Sequence, residues 1–425
     1  MLHIATVAGL SSEDNSLSRR LEYVRLLDEV LDLFDTEPRF QHFVLDGEVG
    51  PLEDYLSIRP ENFERIEELV EEGKLLIGPW YTQSYDSPET AIRSLMIGTQ
   101  TADVFGRPMM IGYLPDASKL PGYLPQIFKS FDIDVVITNR VDGNLPNELI
   151  WVGDDGTQII LGQMQSGIGP IADLRGEFAP YAESGHMLFA YQWDMQQSHV
   201  ERLALLNAIP VAQTAHHDTV FHSHPAAYAS AIQAYAKAHV LPKITGGPTT
   251  KNGDPAEYAL THVLEPLLCW AAETKLSIQR PQYLLQQLWK RYLSGVDTSK
   301  LVEDCYQLAA SLGAAHLLTQ PDPSGPPGPV NLVTPSAPQF RITTMKLPED
   351  PDCTGLVVRG HNVSDEDIWV TLTPWRAYSI IDVVTMNEEP TGGRLAPESN
   401  GAVQFRAAPH RILTFWFHDE LLSAA

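Results

Sequence analysis

Up to about residue 245, short apolar runs of strand length alternate with longer stretches whose apolar residues recur at helical spacing. This alternation restricts the chain more than any single motif in it. "LHIATVAG" reads as a strand, and "LSRRLEYVRLLDEVLDLF" as a helix with Leu21, Val24, Leu27, Val30, Leu31 and Phe34 on one side. "HFVLDG" is a second strand that ends in a turn at Asp46-Gly47. In "RPENFERIEELVEEGKLLIGPW", Pro60 suits a first helical turn, Gly73 stops the helix and "KLLIG" is the next strand. "PETAIRSLMIGTQTADVFG" is a further helix, followed by a strand over Met109 to Leu114 and a short helix starting near Pro121. "DVVITN", "ELIWVG" and "TQIILGQM" are strands, and "IPVAQTA" with "PAAYASAIQAYAKAH" forms one more strand–helix pair. Such alternation argues for a mainly parallel sheet with helices packed on it.

Beyond this point the pattern changes twice. Pro255 to Leu318 lacks strand signals and carries three helical patterns, clearest in "PQYLLQQLWKRYL" and "LVEDCYQLAASL", which predicts a small helical bundle. "QPDPSGPPGPV", with five prolines and two glycines, reads as a linker. After it come six short β-like runs: "FRITTMKL", "GLVVRGHNV", "IWVTLTPW", "SIIDVVTM", "AVQFRAA" and "RILTFWF". They predict an antiparallel sandwich. The expected organisation is an α/β domain over 1–245, a helical bundle over 246–319, a linker over 320–330 and a β-sandwich-like domain over 331–425.

Composition narrows the function. A formal net charge of −25 repels nucleic acid and leaves a solvated acidic surface. Cys269, Cys305 and Cys353 lie far apart and form no ligand motif, which fits buried thiols in a reducing compartment. No apolar run reaches the ~18 residues that span a bilayer, and no charged-then-apolar leader opens the chain. The expectation is a soluble, cytoplasmic protein with no membrane partner. There is no P-loop, no Rossmann glycine pattern and no serine nucleophile elbow.

Four places carry side chains suited to chemistry. Asp46 ends a strand, with Glu48 nearby. Trp80 and Tyr81 follow another strand, where they are either core packing or aromatic faces for a sugar's apolar C–H surface. Asp116 stands at the carboxyl end of a strand, where α/β proteins place their chemistry. "TAHHDTVFHSHP" gathers His216, His217, Asp218, His222 and His224. These are zinc-binding types, although no single regular element aims all five at one point, and a polar loop cluster without metal is the alternative.

The words "FVLDGE", "LEDYLSIRPENFERIEELVEEGKLLIGPWY", "AIRSLMIG", "FGRPMMIGYLPD" and "LPQIFKSFDID" resemble, in order and spacing, the amino-terminal domain of glycoside hydrolase family 38, the α-mannosidases. The resemblance is continuous from about His3 to Met164, thins through the histidine cluster and returns in the helices and the β segment. It implies a (β/α)7-type barrel. Family members are usually longer, with a large β region that would be much shortened here. The resemblance also implies a zinc ion and two carboxyl groups: one attacks the anomeric carbon, the other protonates the leaving oxygen, and configuration is retained.

Residue by residue, the match is partial. The family's first ligand word, like HTHWD, aligns with Val7 to Ser11, so its two ligand positions become Gly9 and Ser11. Glu13 and Asp14 follow an altered loop. "YLPDASKLPGYLPQI" matches the nucleophile word without a gap and puts Asp116 on the nucleophile, with Lys119 as a candidate ion-pair partner. The acid position falls on His216 or, with a slip of two, on Asp218. The last zinc histidine, expected after "LWKRYL", is absent. Three of the four ligands are thus missing, so no metal is expected, and His216, His222 and His224 are the donors if there is one. The resemblance implies a degenerate relative that binds carbohydrate, with mannose-containing glycans first in line. The alternatives are an active glycosidase with a rebuilt site, using Asp116 with Asp218 or His216, and a scaffold or assembly subunit. An oligomer is compatible with each.

Overall fold

The computed structural model describes residues 1–8, 17–115, 120–140, 145–166, 175, 176, 178–193, 206, 219–245, 254–273, 280–295, 297–311 and 332–419. Of residues 17–20, 166, 273 and 310 it describes the backbone alone. Backbone contacts divide the chain into two units, Met1–Ser84 with Ser94–Pro248, and Tyr85–Arg93 with Thr249–Ala425.

The first unit is built on parallel strands. β1 (Leu2–Ala8) is buried at all seven positions, as a strand covered on both faces must be. Its alternate residues feed two clusters: Ala5 and Val7 pack with Val44, Ile137 and Leu188, while Leu2 and Ile4 pack with Phe189 and Val220. β2 (Phe43–Val44), β3 (Leu75–Leu76), β4 (Gly112–Leu114), β5 (Val135–Asn139), β6 (Glu148–Val152), β7 (Gln158–Ser166), β8 (Met187–Trp193), β9 (Val220–His222) and β10 (Lys243–Thr245) complete the sheet. Parallel pairing runs β4–β5–β7–β8–β1–β2–β3. The amide of Met109, just before β4, then donates to the carbonyl of Ile77, just after β3, at 2.8 Å. That bond ties the two ends of the run together in the manner of a seven-strand barrel. β6 pairs antiparallel with β7, and β10 lies outside it. One edge of β1 is shared, its lower half with β9 and its upper end with β2.

The helices are α1 (Leu17–Thr36), α2 (Gly50–Ile58), α3 (Phe63–Glu71), α4 (Pro88–Asp103), α5 (Leu124–Ser130) and α6 (Pro225–Ala236). α3 buries Ile66, Leu69 and Val70, one stripe of its helical period. α4 comes close to the strand-end segment after β3. A Cβ on Gly98 would stand 2.2 Å from the Pro79 carbonyl oxygen and 2.3 Å from the Tyr81 nitrogen, so only glycine fits there.

The second unit has helices and two antiparallel sheets. α7 (Pro255–Tyr258) runs through a π-helical turn (Ala259–Leu264) into α8 (Glu265–Glu273), followed by α9 (Pro281–Leu293) and α10 (Thr298–Ser311). One sheet is β11 (Val333–Pro335), β14 (Ile368–Pro374) and β17 (Val403–Ala407), ordered β11–β14–β17. The other is ordered β12–β13–β18–β15–β16, from β12 (Phe340–Lys346), β13 (Leu356–Asn362), β15 (Ile380–Val384), β16 (Pro390–Leu395) and β18 (Ile412–His418). Phe340, Val358, Val370, Leu372, Phe405 and Phe415 fill the space between the sheets, joined by Val263, Leu267 and Cys269 from the helices.

A buried ionic network runs through the same unit. Arg93 donates to Glu89 (2.8 Å), Glu265 (2.9 Å) and Glu349 (3.0 Å). Arg359 bonds both oxygens of Glu89 (2.8 and 2.9 Å) and the Met386 carbonyl (2.8 Å). Lys346 pairs with Glu349 and Glu388. Glu265 also accepts from the Trp289 indole (2.8 Å) and the Thr344 hydroxyl. Burial pushes the Glu89 carboxyl up, but Arg359 and Arg93 outweigh it and hold the group down at about 2. At Glu265 burial prevails over Arg93 and raises the carboxyl.

Candidate functional site

The carboxyl ends of the parallel strands bring Asp46, Glu48, Trp80, Tyr81, Tyr113 and Gln83 together. Asp46 leaves β2 with φ 47°, and Gly47 follows at φ 76°, its α-carbon packed against Tyr113. This left-handed pair makes the turn that the Asp-Gly sequence predicts. It aims the Asp46 carboxylate at the Tyr113 hydroxyl. Burial first, then Asp46, raises the Tyr113 phenol well above its ordinary range, so the phenol stays a neutral donor. Gln83 braces the turn twice: its amide N–H donates to Glu48 Oε1 at 2.7 Å, and its side chain donates to the Asp46 carbonyl. Asp46 remains half-buried.

Trp80 and Tyr81 occupy the same region in a different role from the sugar platform considered above. Trp80 is fully buried, its indole N–H donates to the Tyr113 carbonyl at 3.2 Å, and its ring meets Phe128 edge-on at 5.7 Å. Tyr81 is 6% exposed and its hydroxyl donates to Glu53 at 3.0 Å. Neither ring has an open face. The close passage of α4 at Gly98 presses this segment inward and turns both aromatics into core.

Asp116 lies outside the described residues, together with Ala117, Ser118 and Lys119. The chain entering it is held: Leu114 pairs with Thr138, and the Asn139 side-chain amide donates to the Pro115 carbonyl at 2.5 Å. Across β5, Arg140 donates to Asn147 Oδ1 at 2.7 Å, and its guanidinium lies over the Tyr181 ring at 4.4 Å. Asn139, Arg140, Tyr113 and Gln83 were not singled out from the sequence. Of these, Arg140 alone carries a local signal, its position immediately after β5.

His216, His217 and Asp218 also lie outside the described residues, as does the "IPVAQTA" segment. His222 and His224 are described, and each has a structural task. His222 Nδ1 accepts the Gln41 amide N–H at 3.0 Å, and its Nε2 stands 3.1 Å from Thr6 Oγ1. The Thr6 hydroxyl donates its own proton to the His42 carbonyl at 2.7 Å. The proton of His222 must then sit on Nε2, and the ring is neutral with both nitrogens engaged. His224 accepts from the Ala227 N–H and caps α6. The register pairs His222 with Ile4, roughly 13 Å of strand below Ala8 at the carboxyl end. A second pair sits close by, with His3 Nε2 2.9 Å from His186 Nδ1 and His3 Nδ1 3.1 Å from Ser223. Burial lowers His222 to about 3, and His3 and His224 to about 4, with the neighbouring histidines adding to it.

Among the described residues no three His, Cys, Asp or Glu side chains come together to hold a metal ion. Gly9 and Ser11, the positions expected to match the family's first ligand word, lie outside the described residues, and neither carries an imidazole or a carboxylate.

Parallel strands with polar groups gathered at their carboxyl ends, followed by helices and an antiparallel sandwich, define an α/β domain joined in sequence to a β-sandwich domain. Residues 12–240 match the Glycosyl hydrolases family 38 N-terminal domain, and residues 339–415 the Glycosyl hydrolases family 38 C-terminal beta sandwich domain. The chain belongs to glycosyl hydrolase family 38. A protein of Halalkalibacterium halodurans carrying the name "Putative mannosylglycerate hydrolase" is 35% identical over 159 residues, covering 33% of this chain and 18% of that one. The crystal structure of an α-mannosidase from Enterococcus faecalis V583 superposes with a TM-score of 0.61 at 20% identity, over 98% of this chain and 56% of that one. A second family 38 protein from Enterococcus faecalis gives 0.56 at 18% identity, over 100% of this chain and 55% of that one. The chain thus spans about half the length of these solved relatives, and its match to the curated one covers about a fifth of that protein.

Proposed function

We propose that this chain is a carbohydrate-binding member of family 38 in which zinc-assisted hydrolysis has been lost. The reading rests on the ungapped sequence alignment from His3, which sets Gly9 and Ser11 against the histidine and aspartate of the family's first ligand word. Supporting it, His222 spends both ring nitrogens on Gln41 and Thr6, and His224 caps a helix. Rebuilding a metal site from those two would break the bonds that hold them. The half-buried Asp46, oriented by the buried Tyr113 phenol, is an acceptor after a strand end suited to sugar hydroxyls. Mannosides are the first ligands to try, because the curated relative's name specifies mannosylglycerate and a solved relative is an α-mannosidase. Among the described residues no helix is long and apolar enough to cross a membrane, and the three cysteines are free, which suits a reducing compartment such as the cytoplasm.

Metal analysis of the purified protein, with hydrolysis assays on an aryl α-mannoside and on mannosylglycerate with and without added zinc, tests the proposal. The expected result is substoichiometric zinc and no turnover, with saturable binding of a mannoside by calorimetry. Near-stoichiometric zinc together with turnover lost in Asp116→Asn would establish an active, rebuilt site instead. No binding of either mannoside would favour a scaffold.

A further inference from the structure

The outer face of the three-stranded sheet β11–β14–β17 carries side chains that the fold does not use. Along β14, Val370 and Leu372 point into the core while Trp369, Thr371 and Thr373 take the other face. On β17, Gln404 and Arg406 face outward between buried Val403, Phe405 and Ala407. The register sets Trp369 opposite Arg406 and Thr371 opposite Gln404. On the other side Thr334 of β11 lies opposite Thr373. Trp369 is 65% exposed, the most exposed aromatic residue among the large hydrophobics of the described chain. Trp375 continues the outward parity just past the end of β14 and is 44% exposed. At strand rise, six residues put the two tryptophan backbones roughly 20 Å apart.

We propose that this face is a second carbohydrate site, one that takes a neutral oligosaccharide chain with Trp369 as its stacking platform. An indole face meets the apolar C–H surface of a pyranose, and its rim must be met by groups that bond hydroxyls. Thr371, Thr373 and Gln404 supply such donors and acceptors beside the ring. The charge of Arg406 is balanced by Asp367 at 2.7 Å, so the patch is locally neutral within a chain of net charge −25. That balance selects an uncharged ligand over an anionic polymer or an anionic membrane surface. A protein partner fits less well. A stable interface buries about 800 Å² on each side around an apolar centre, and one tryptophan among threonines, a glutamine and an ion pair does not supply that centre. The span from Trp369 to Trp375 suits an extended oligosaccharide rather than a single sugar.

The site is separate from the strand-end site of the barrel, so its failure and that of the proposed function are read independently. The protein is labelled with 5-fluorotryptophan, the Trp369 resonance is assigned by its loss in Trp369→Ala, and mannohexaose is titrated against hexagalacturonate. The expected result is a saturable shift of the Trp369 resonance with mannohexaose alone, retained in Asp46→Asn. Trp369→Ala should lower affinity roughly fivefold to tenfold, with part of the loss recovered by Trp369→Phe and the melting temperature unchanged. A Trp369 resonance that stays fixed at millimolar mannohexaose overturns the proposal. So does an equal response to hexagalacturonate, or a dimer by sedimentation that Trp369→Ala dissociates, which would make the face an interface between two copies of this chain.

Discussion

Glu89 accepts hydrogen bonds from two buried guanidinium groups, Arg93 and Arg359, and every member of that triad is at most 3% exposed at its side chain. Removing its charge leaves two buried cations short of an anion, and breaking such a pair from one side costs about 3–5 kcal/mol. Glu89→Gln is therefore expected to lower the unfolding free energy, read by urea denaturation, by an amount in that range and to move the midpoint down with it. Because folding holds the carboxyl at about 2, below the ordinary 4.5, this contribution is complete at neutral pH and is lost progressively as pH falls from about 4.5 through 2. An unchanged midpoint would show that the network adds no stability. A different mechanism governs Gly98. The atoms that a Cβ would meet are backbone atoms of Pro79, Trp80 and Tyr81, which cannot swing aside. Gly98→Ala should cost about 1–3 kcal/mol by overpacking and lower the melting temperature. It should also disturb Tyr113, whose carbonyl holds the Trp80 indole. A variant with wild-type stability would mean that α4 is not pinned there.

At the scale of elements, the seam where β9 and β2 share one edge of β1 holds His3, His42, His222 and His224 in neutral form. Their partners include Thr6, Gln41, Ser223, His186 and the Gly73 carbonyl. Burial lowers them all, and repulsion from neighbouring histidines adds to it at His3, His222 and His224. In the unfolded chain each histidine binds a proton below about 6.5, while folded His3 and His224 resist until about 4 and His222 until about 3. Stability is therefore complete above 6.5 and declines as pH falls toward 4, with His222 alone worth on the order of 4 kcal/mol once the unfolded state is protonated. His222→Gln keeps one acceptor and one donor but cannot charge. Its denaturation midpoint should depend less steeply on pH between 6.5 and 4 than that of the wild type, and identical slopes would refute the assignment.

The same elements show what the sequence could and could not reveal. β1 and β5 were legible because buried parallel strands are nearly continuous apolar runs, and β7 because of its apolar residues Ile159, Ile160 and Leu161. All six β-like runs after the linker became strands because one face alternates against a core. β9 and β10, three residues each, are too short to show a period. α2 opens on Gly50-Pro51 after Val49, which makes no side-chain cap, so nothing announced it. The strand expected over Met109 to Leu114 shrank to Gly112–Leu114 because Met109 spends its amide on Ile77. The histidine cluster was visible as a cluster, but register and burial decide what His222 and His224 do. The ionic network had a single local sign, the four-residue spacing of Glu89 and Arg93, and its other members come from positions as distant as Glu388.

On the scale of the whole molecule, a formal charge of −25 sets a field that the local site chemistry must work within. An anionic mannoside such as mannosylglycerate approaches against that field, whereas methyl α-mannoside does not feel it. Screening lengths fall from about 30 Å at 0.01 M salt to about 8 Å at 0.15 M. Affinity for mannosylglycerate should therefore strengthen several-fold over that range, and affinity for methyl α-mannoside should stay level. Isothermal titration of both ligands at the two ionic strengths checks this. If the anion instead binds more weakly as salt rises, a local cation must dominate its recognition. Arg140, beside Asn147 at the end of β5, is then the first residue to substitute. Arg140→Gln should abolish the salt dependence while leaving methyl α-mannoside binding intact. If salt moves neither ligand, the acidic charge lies on surfaces remote from the binding site and serves solubility alone.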